Sequence, residues 1–270
     1  MPIQLIASDL DETLLNKRAE LTPRTISALR RAMGAGIKVV LASGRMVKSM
    51  KAYAEAIGVN APVIAFNGAL IYDLDSKEAL EAREIAPEDA RQVARAAEEL
   101  GVHVQAFTRE EYYFERENAQ SDLYARGIGG VKGVPVGVKV SEWIDAPLCK
   151  LLMIAEPAVV SELARALPPR FSGRVEFAPS RPNYLECTAA GVTKGAALEA
   201  LSSRLGISRA DVAAFGDNDN DLSMLRWAEH GYAVENAPSH VRAEALPAPA
   251  SPASLGRTPS CSQAPASKSR

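Results

Sequence analysis

The chain has 270 residues, 47% of them hydrophobic and 24% charged, with a formal net charge of −2. This is the composition of an ordinary soluble globular protein, long enough for two domains or for one domain with a large insertion. The charge is mixed and no basic block occurs, so neither nucleic acid nor a membrane surface is an expected partner, and no apolar run reaches the ~18 residues of a bilayer span.

Ile3–Ser8 is a short apolar run that stops at Asp9, the pattern of a buried parallel strand. Thr22 and Pro23 predict a helix start, with Ile26, Leu29 and Met33 at helical spacing and Gly34 and Gly36 at its end. Ile37–Ala42 reads as a second strand ending at Ser43, Met46–Ile57 as a helix closed by Gly58, and Pro62–Phe66 as a third strand. The order β-α-β-α-β is that of a doubly wound parallel sheet.

After Asn67-Gly68 the pattern changes. Ala69–Tyr72 and Ala79–Ile85 predict a hairpin, Pro87–Leu100 an amphipathic helix, and Val102–Phe107 and Glu111–Glu115 paired strands. Leu148–Ala155 is a predicted strand, Ala158–Leu167 a helix, and Arg174–Ala178 and Tyr184–Thr188 strands. From Lys194 the α/β alternation returns, with helices over Lys194–Leu205 and Leu222–Trp227 and strands over Val212–Phe215 and Gly231–Val234. The expected fold is therefore α/β, a Rossmann-like doubly wound parallel sheet core made of residues 1–82 and 187–246, with an α+β unit inserted over 83–186. Residues 247–270 are rich in Ala, Pro and Ser without apolar periodicity, and a disordered tail is expected there.

Cys149, Cys187 and Cys261 are odd in number and scattered, so neither a disulfide framework nor a metal-ligand spacing follows and a reducing cytosol is the expected compartment. Met1-Pro2-Ile3-Gln4 runs straight into the first strand, and no export signal is expected.

Four pieces carry candidate chemistry: Asp9-Leu10-Asp11-Glu12-Thr13, Ser43-Gly44-Arg45, Lys194-Gly195 and Gly216–Asp221. Three follow predicted strands and one opens a helix, so all four are expected beyond the carboxyl ends of one sheet, where open α/β folds bind ligands. Asp9 and Asp11 suit a nucleophile and a general acid/base. Crowded carboxylates, joined by Asp217 and Asp221, call for a cation, and Mg²⁺ prefers hard oxygen ligands of this kind. The Ser43 hydroxyl and the Gly44 N–H are placed to hold a phosphate oxygen. Lys194 stands at a helix start, where the dipole disfavours a cation, so a nearby anion is the better explanation for it. Each piece alone has a plainer account: an acidic turn at Asp9, a helix cap at Ser43, an Asp/Asn turn at Asp217, a solvated Lys194. All four plain accounts at the mouth of one sheet are an improbable coincidence. Gly127-Ile128-Gly129-Gly130 lacks the strand-turn-helix setting of a dinucleotide site.

These motifs resemble those of the haloacid dehalogenase-like hydrolase superfamily. Asp9–Leu15 is similar to its first motif, Ser43-Gly44-Arg45 to its second, Lys194 to its third and Gly216–Asp221 to its fourth. Phe66-Asn67-Gly68-Ala69 and the position of the insertion resemble the Cof-type branch, with an α/β cap of the second kind. The resemblance implies a cytoplasmic Mg²⁺-dependent phosphatase of small phosphorylated metabolites such as sugar phosphates, acting through an aspartyl-phosphate. It implies Asp9 as nucleophile and Mg²⁺ ligand, and Asp11 as general acid/base that reaches the metal through its carbonyl. Ser43, Gly44, Arg45, Lys194 and Asn220 would serve the phosphate, and Asp217, supported by Asp221, the metal. Glu12 departs from the family's usual glycine, and the chain after Asn236-Ala237-Pro238 departs from its usual closing strand and helix. A phosphosugar-specific phosphatase, a phosphomutase or a non-catalytic phospho-ligand module are the alternatives.

Overall fold

The structure, a computed structural model, describes residues 2–246. Its first half runs β1 (Leu5–Ser8), α1 (Pro23–Gly34), β2 (Lys38–Leu41), α2 (Val47–Ile57), β3 (Val63–Ala65), β4 (Leu70–Asp73) and β5 (Glu78–Ala82). The local chemistry is as the sequence suggests. The Thr22 hydroxyl accepts from the Thr25 N–H ahead of Pro23, and Gly58 ends α2 at φ 78° with its N–H on the Ala54 carbonyl.

Next come α3 (Pro87–Glu98), β6 (His103–Phe107), β7 (Tyr112–Phe114), α4 (Ala119–Gly127), β8 (Val134–Pro135), α5 (Val140–Trp143), β9 (Lys150–Ile154), α6 (Pro157–Ala166), β10 (Val175–Arg181) and β11 (Tyr184–Ala189). The chain closes with α7 (Lys194–Leu205), β12 (Val212–Gly216), α8 (Leu222–Trp227), β13 (His230–Ala233) and α9 (Ser239–Ala243).

Three sheets result. The first is parallel, in the order β13-β12-β1-β2, with β1 in its middle. Leu5 and Ala7 of β1 are fully buried, as a strand covered on both faces requires. β3 lies parallel beside the end of β2, as expected, but is joined to it by the single parallel bridge Ala42–Ile64 and the Ser43 N–H on the Ile64 carbonyl. Its full ladder is antiparallel, with β4, which pairs with β5. Phe66 and Asn67, at φ 51° and 57°, turn the chain back on itself there.

The second large sheet has the order β10-β11-β9-β6-β7-β8 and is mostly antiparallel. Its period of two separates two faces. Val104, Ala106, Leu151 and Met153 pack under α3 and α6. Phe107, Leu152 and Ile154 point the other way and join Leu10, Met50 and Phe66 of the first half in one apolar cluster. Phe107 meets Phe66 edge-on at 6.0 Å. The cavity described next lies where these units meet, at the carboxyl ends of β1 and β12.

Beyond α9, the Leu246 N–H donates to the Gly231 carbonyl and Leu246 forms a parallel bridge to Tyr232, beside β13. The expected disordered tail, 247–270, lies outside the described residues. Among the described residues no helix is long and apolar enough to cross a membrane.

Candidate active site

Asp9 is the first residue past β1, its N–H held by the Phe215 carbonyl of β12 at 3.0 Å. Lys194 is the first residue of α7, whose start is capped by Thr193 through the Ala196 N–H. The Lys194 Nζ donates to Asp9 Oδ1 and to Asp221 Oδ1, each at 2.6 Å. Lys194 and Asp221 are 0% exposed and Asp9 5%, so this is a buried three-residue ion pair across three elements. The anions account for a lysine at a helix start, where the dipole opposes it.

The remaining oxygen of Asp221, Oδ2, accepts from the backbone N–H groups of Asp217 and Asn218 at 2.9 and 3.0 Å. Asp221 thus shapes the loop that carries Asp217. Gly216 permits this by its missing side chain, because a Cβ there would lie 2.4 Å from the Asp221 Cβ. Thr13 aims Asp217 from the other side, its hydroxyl donating to Asp217 Oδ1 at 2.7 Å.

Oxygens of Asp9, Asp217 and Asp221 lie within 4.8 Å of one another. Three buried carboxylates face one ammonium, which leaves excess negative charge in a poorly solvated place. Burial pushes the Asp9 carboxyl up to about 7; Lys194 opposes the rise, while Asp221 and Asp11 add to it. Burial likewise raises Asp217. Burial opposes the Lys194 charge, but Asp221 and Asp9 outweigh it and its pKa rises, so the ammonium persists. A hard divalent cation fits this set of donors and the charge they leave uncompensated.

Asp11 stands apart from the buried trio. Its carboxylate, about half exposed, forms a two-pronged pair with Arg45, Nε to Oδ2 and Nη2 to Oδ1 at 2.7 Å each. Arg45, expected at the phosphate, is spent on Asp11; its guanidinium lies 5.5 Å from the Tyr53 ring centre, and its buried Nη1 has no partner among the described residues. Ser43 is buried and accepts from the Arg45 N–H at 3.3 Å; α2 starts only at Val47, so Ser43 does not cap it. A Cβ on Gly44 would lie 2.9 Å from Asn67 Oδ1, so the loop is pressed against Asn67.

Asn67 was not legible as a site residue. Its Nδ2 donates to Glu186 Oε2 at 3.1 Å and its Oδ1 accepts from Asn220 Nδ2 at 3.0 Å. Its N–H donates to the Ser43 carbonyl. Through its backbone N–H and its side chain, Asn67 thus joins the second and fourth motif loops to β11. Lys150 of β9 adds a second link, with its Nζ 3.2 Å from the Gly44 carbonyl and 3.5 Å from Glu186 Oε2. The cavity so formed measures about 270 Å³. Asp9, Asp217, Ser43 and Asn220 line one side and Tyr124, Arg181 and Tyr184 the other.

The sequence pattern of the haloacid dehalogenase-like hydrolases matches residues 6–247. The chain is 30% identical over 244 residues to an HMP-PP phosphatase of Yersinia pseudotuberculosis, covering 89% of this chain and 87% of that one. It is 29% identical over 240 residues to the putative phosphatase YxeH of Bacillus subtilis, covering 87% and 88%. Among solved structures, a Thermotoga maritima protein superposes with a TM-score of 0.80 at 32% identity over 91% of each chain. A haloacid dehalogenase-like hydrolase of Bacteroides thetaiotaomicron gives 0.80 at 26% identity over 90% of this chain and 92% of its own.

Proposed function

The chain belongs to the haloacid dehalogenase-like hydrolases, and we propose that it is a Mg²⁺-dependent phosphatase of small phosphorylated metabolites that works through a phosphoaspartate on Asp9. The observation that carries this reading is the buried Asp9–Lys194–Asp221 trio beside Asp217, at the floor of a cavity open to a small ligand. The HMP-PP phosphatase relative supports a small phosphorylated substrate.

Asp9 is the nucleophile. Its Oδ1 is fixed by Lys194, so the other oxygen is free to attack phosphorus in line with the departing oxygen. The bond between phosphorus and the leaving oxygen breaks as the Asp9 bond forms. Asp11 delivers a proton to the leaving oxygen, then takes one from the water that attacks the phosphoaspartate, which restores Asp9 and frees phosphate. Arg45, which holds the Asp11 carboxylate at two points, acts as the positioning residue of the acid/base. Ser43, the Gly44 N–H and Asn220, which line the cavity with Asp9, hold the transferring phosphoryl group.

Mg²⁺, when bound, neutralises charge on the phosphoryl oxygens. Asp9 and Asp217 would hold it, with the Asp11 carbonyl. Asp221, whose two oxygens already take three donors, would orient Asp217 and Lys194 beside it. Residues 1–82 and 187–246 are the catalytic core in this reading, and 83–186 the cap that covers the substrate and excludes water. The test is phosphate release from a panel of phosphorylated metabolites with and without Mg²⁺, for wild type and Asp9→Asn. Release that needs Mg²⁺ and is lost in the variant is expected; equal release by the variant would overturn the assignment.

A further inference from the structure

The cavity wall opposite the carboxylates holds two polar groups with nothing to bind among the described residues. The first is the Tyr124 hydroxyl. Tyr124 is only 7% exposed, and its ring is fixed edge-on against Phe107 and Tyr112, with centroids 5.7 and 5.4 Å away. The residue lines the cavity, and its hydroxyl makes no hydrogen bond among the described residues. The ring is buried while the hydroxyl faces the cavity, and burial pushes the phenol's pKa well above the ordinary value, so the group remains a donor.

The second group is the Arg181 guanidinium, at the end of β10. It lies over the Tyr184 ring at 5.5 Å from the centroid and has no hydrogen-bond or ion-pair partner among the described residues. Every other cation at the cavity is committed. Arg45 is paired with Asp11, and Lys194 with Asp9 and Asp221. Lys150 is held by Glu186 and the Gly44 carbonyl over the Phe107 ring. Glu12, the carboxylate left over, sits on the opposite side, where its charge is felt by Asp217. Arg181 is exposed, so the cap wall presents one unpaired, solvent-facing cation and one unused donor to the same cavity.

We infer that Arg181 and Tyr124 form a subsite for a second oxyanion on the leaving group, resting on the phosphatase reading for the place of the first. The substrate class is a phosphomonoester that also carries a carboxylate or a further phosphate. Arg181 supplies charge-assisted N–H donors and Tyr124 a neutral O–H donor to the same group. A phosphate ester of a neutral sugar leaves both unused.

The experiment compares 6-phosphogluconate with sorbitol 6-phosphate, open-chain compounds that differ by a carboxylate in place of a hydroxymethyl group, in wild type, Arg181→Met and Tyr124→Phe. Wild type is expected to favour 6-phosphogluconate in kcat/KM by about tenfold or more, the usual effect of one charge-assisted hydrogen bond. The ratio is expected to fall to about one in R181M and severalfold in Y124F. Calorimetric titration of Asp9→Asn with the same two compounds reads the subsite without turnover. Tighter binding of 6-phosphogluconate, with no phosphate release by wild type from it or from any other member of the phosphorylated-metabolite panel, would sink the phosphatase reading and uphold the subsite. Phosphate release with a ratio near one in wild type, or a ratio unchanged in R181M, would overturn the subsite and leave the phosphatase reading standing.

Discussion

Replacing Glu12 with glycine is expected to stabilise the protein. Glu12 sits in the turn after β1 at φ 60°, ψ 0°, the left-handed region. An L-residue there costs roughly 1–2 kcal/mol that glycine avoids. Glycine gives back about 0.4–1 kcal/mol through the greater freedom of the unfolded chain. A second contribution has the same sign as the first: the Glu12 charge helps to raise the Asp217 pKa, so its removal eases the acidic cluster. The turn's other tie, from Asn236 Nδ2 to the Glu12 carbonyl at 3.0 Å, does not use the side chain and survives. The net expectation is about 1 kcal/mol of added stability, or ~2–4 °C in Tm for a chain of this size. Thermal melts of wild type, E12G and E12A would measure it. E12A removes the carboxylate but keeps a side chain at the strained φ, so it should gain less than E12G. Equal gains would assign the effect to charge alone, and a loss in E12G would refute the argument from backbone conformation.

Three further outcomes follow from the same geometry. Lys194→Met leaves Asp9 and Asp221 buried without their ammonium, a change on the order of 3–5 kcal/mol. A Tm drop on the order of 10 °C is expected, partly recovered in K194M/D221N; a drop of a degree or two would contradict the buried trio. Adding Mg²⁺ should raise the Tm of wild type, since a ligand of the folded state stabilises it, and should do so less in Asp217→Asn. Equal shifts in both would argue against Asp217 as a ligand. At His103, burial holds the imidazole pKa down to about 4. The fold keeps this ring neutral while the unfolded chain takes up a proton near 6.5, so its contribution is complete above that pH and is lost as pH falls from 6.5 towards 4. The loss amounts to at most about 3 kcal/mol. Denaturant midpoints measured across that range should fall less steeply in His103→Gln.

The parts of this molecule that could be read from the sequence are those determined locally. Lys194–Leu205 and Leu222–Trp227 have the predicted bounds, because capping and apolar spacing act within a few residues. α4 was missed: its start depends on a reciprocal Asn118–Ser121 cap, and only Ser121 and Tyr124 of the helix are buried. That β3, parallel to the end of β2, also takes β4 as an antiparallel partner is not legible, because a three-residue apolar run does not declare a second neighbour. In the site, the acidic residues and Lys194 were legible as charges that need counter-charges. The Arg45–Asp11 pair and the Asn67 links were not. They join residues 34 to 153 positions apart, and nothing about an Asn in a turn announces Glu186 and Asn220 as its partners.

The most direct test of phosphoryl transfer through Asp9 is to look for the covalent intermediate. Asp11→Asn slows the step in which water is deprotonated. With p-nitrophenyl phosphate, whose phenolate leaves without needing a proton, the first step does not depend on Asp11, so phosphoaspartate should accumulate. Rapid acid quench with this substrate and Mg²⁺, followed by peptide mass spectrometry, should place one phosphoryl group on the peptide containing Asp9, and none there in Asp9→Asn. Phosphate released by wild type with no such adduct in the Asp11 variant, or an adduct on another residue, would contradict the account.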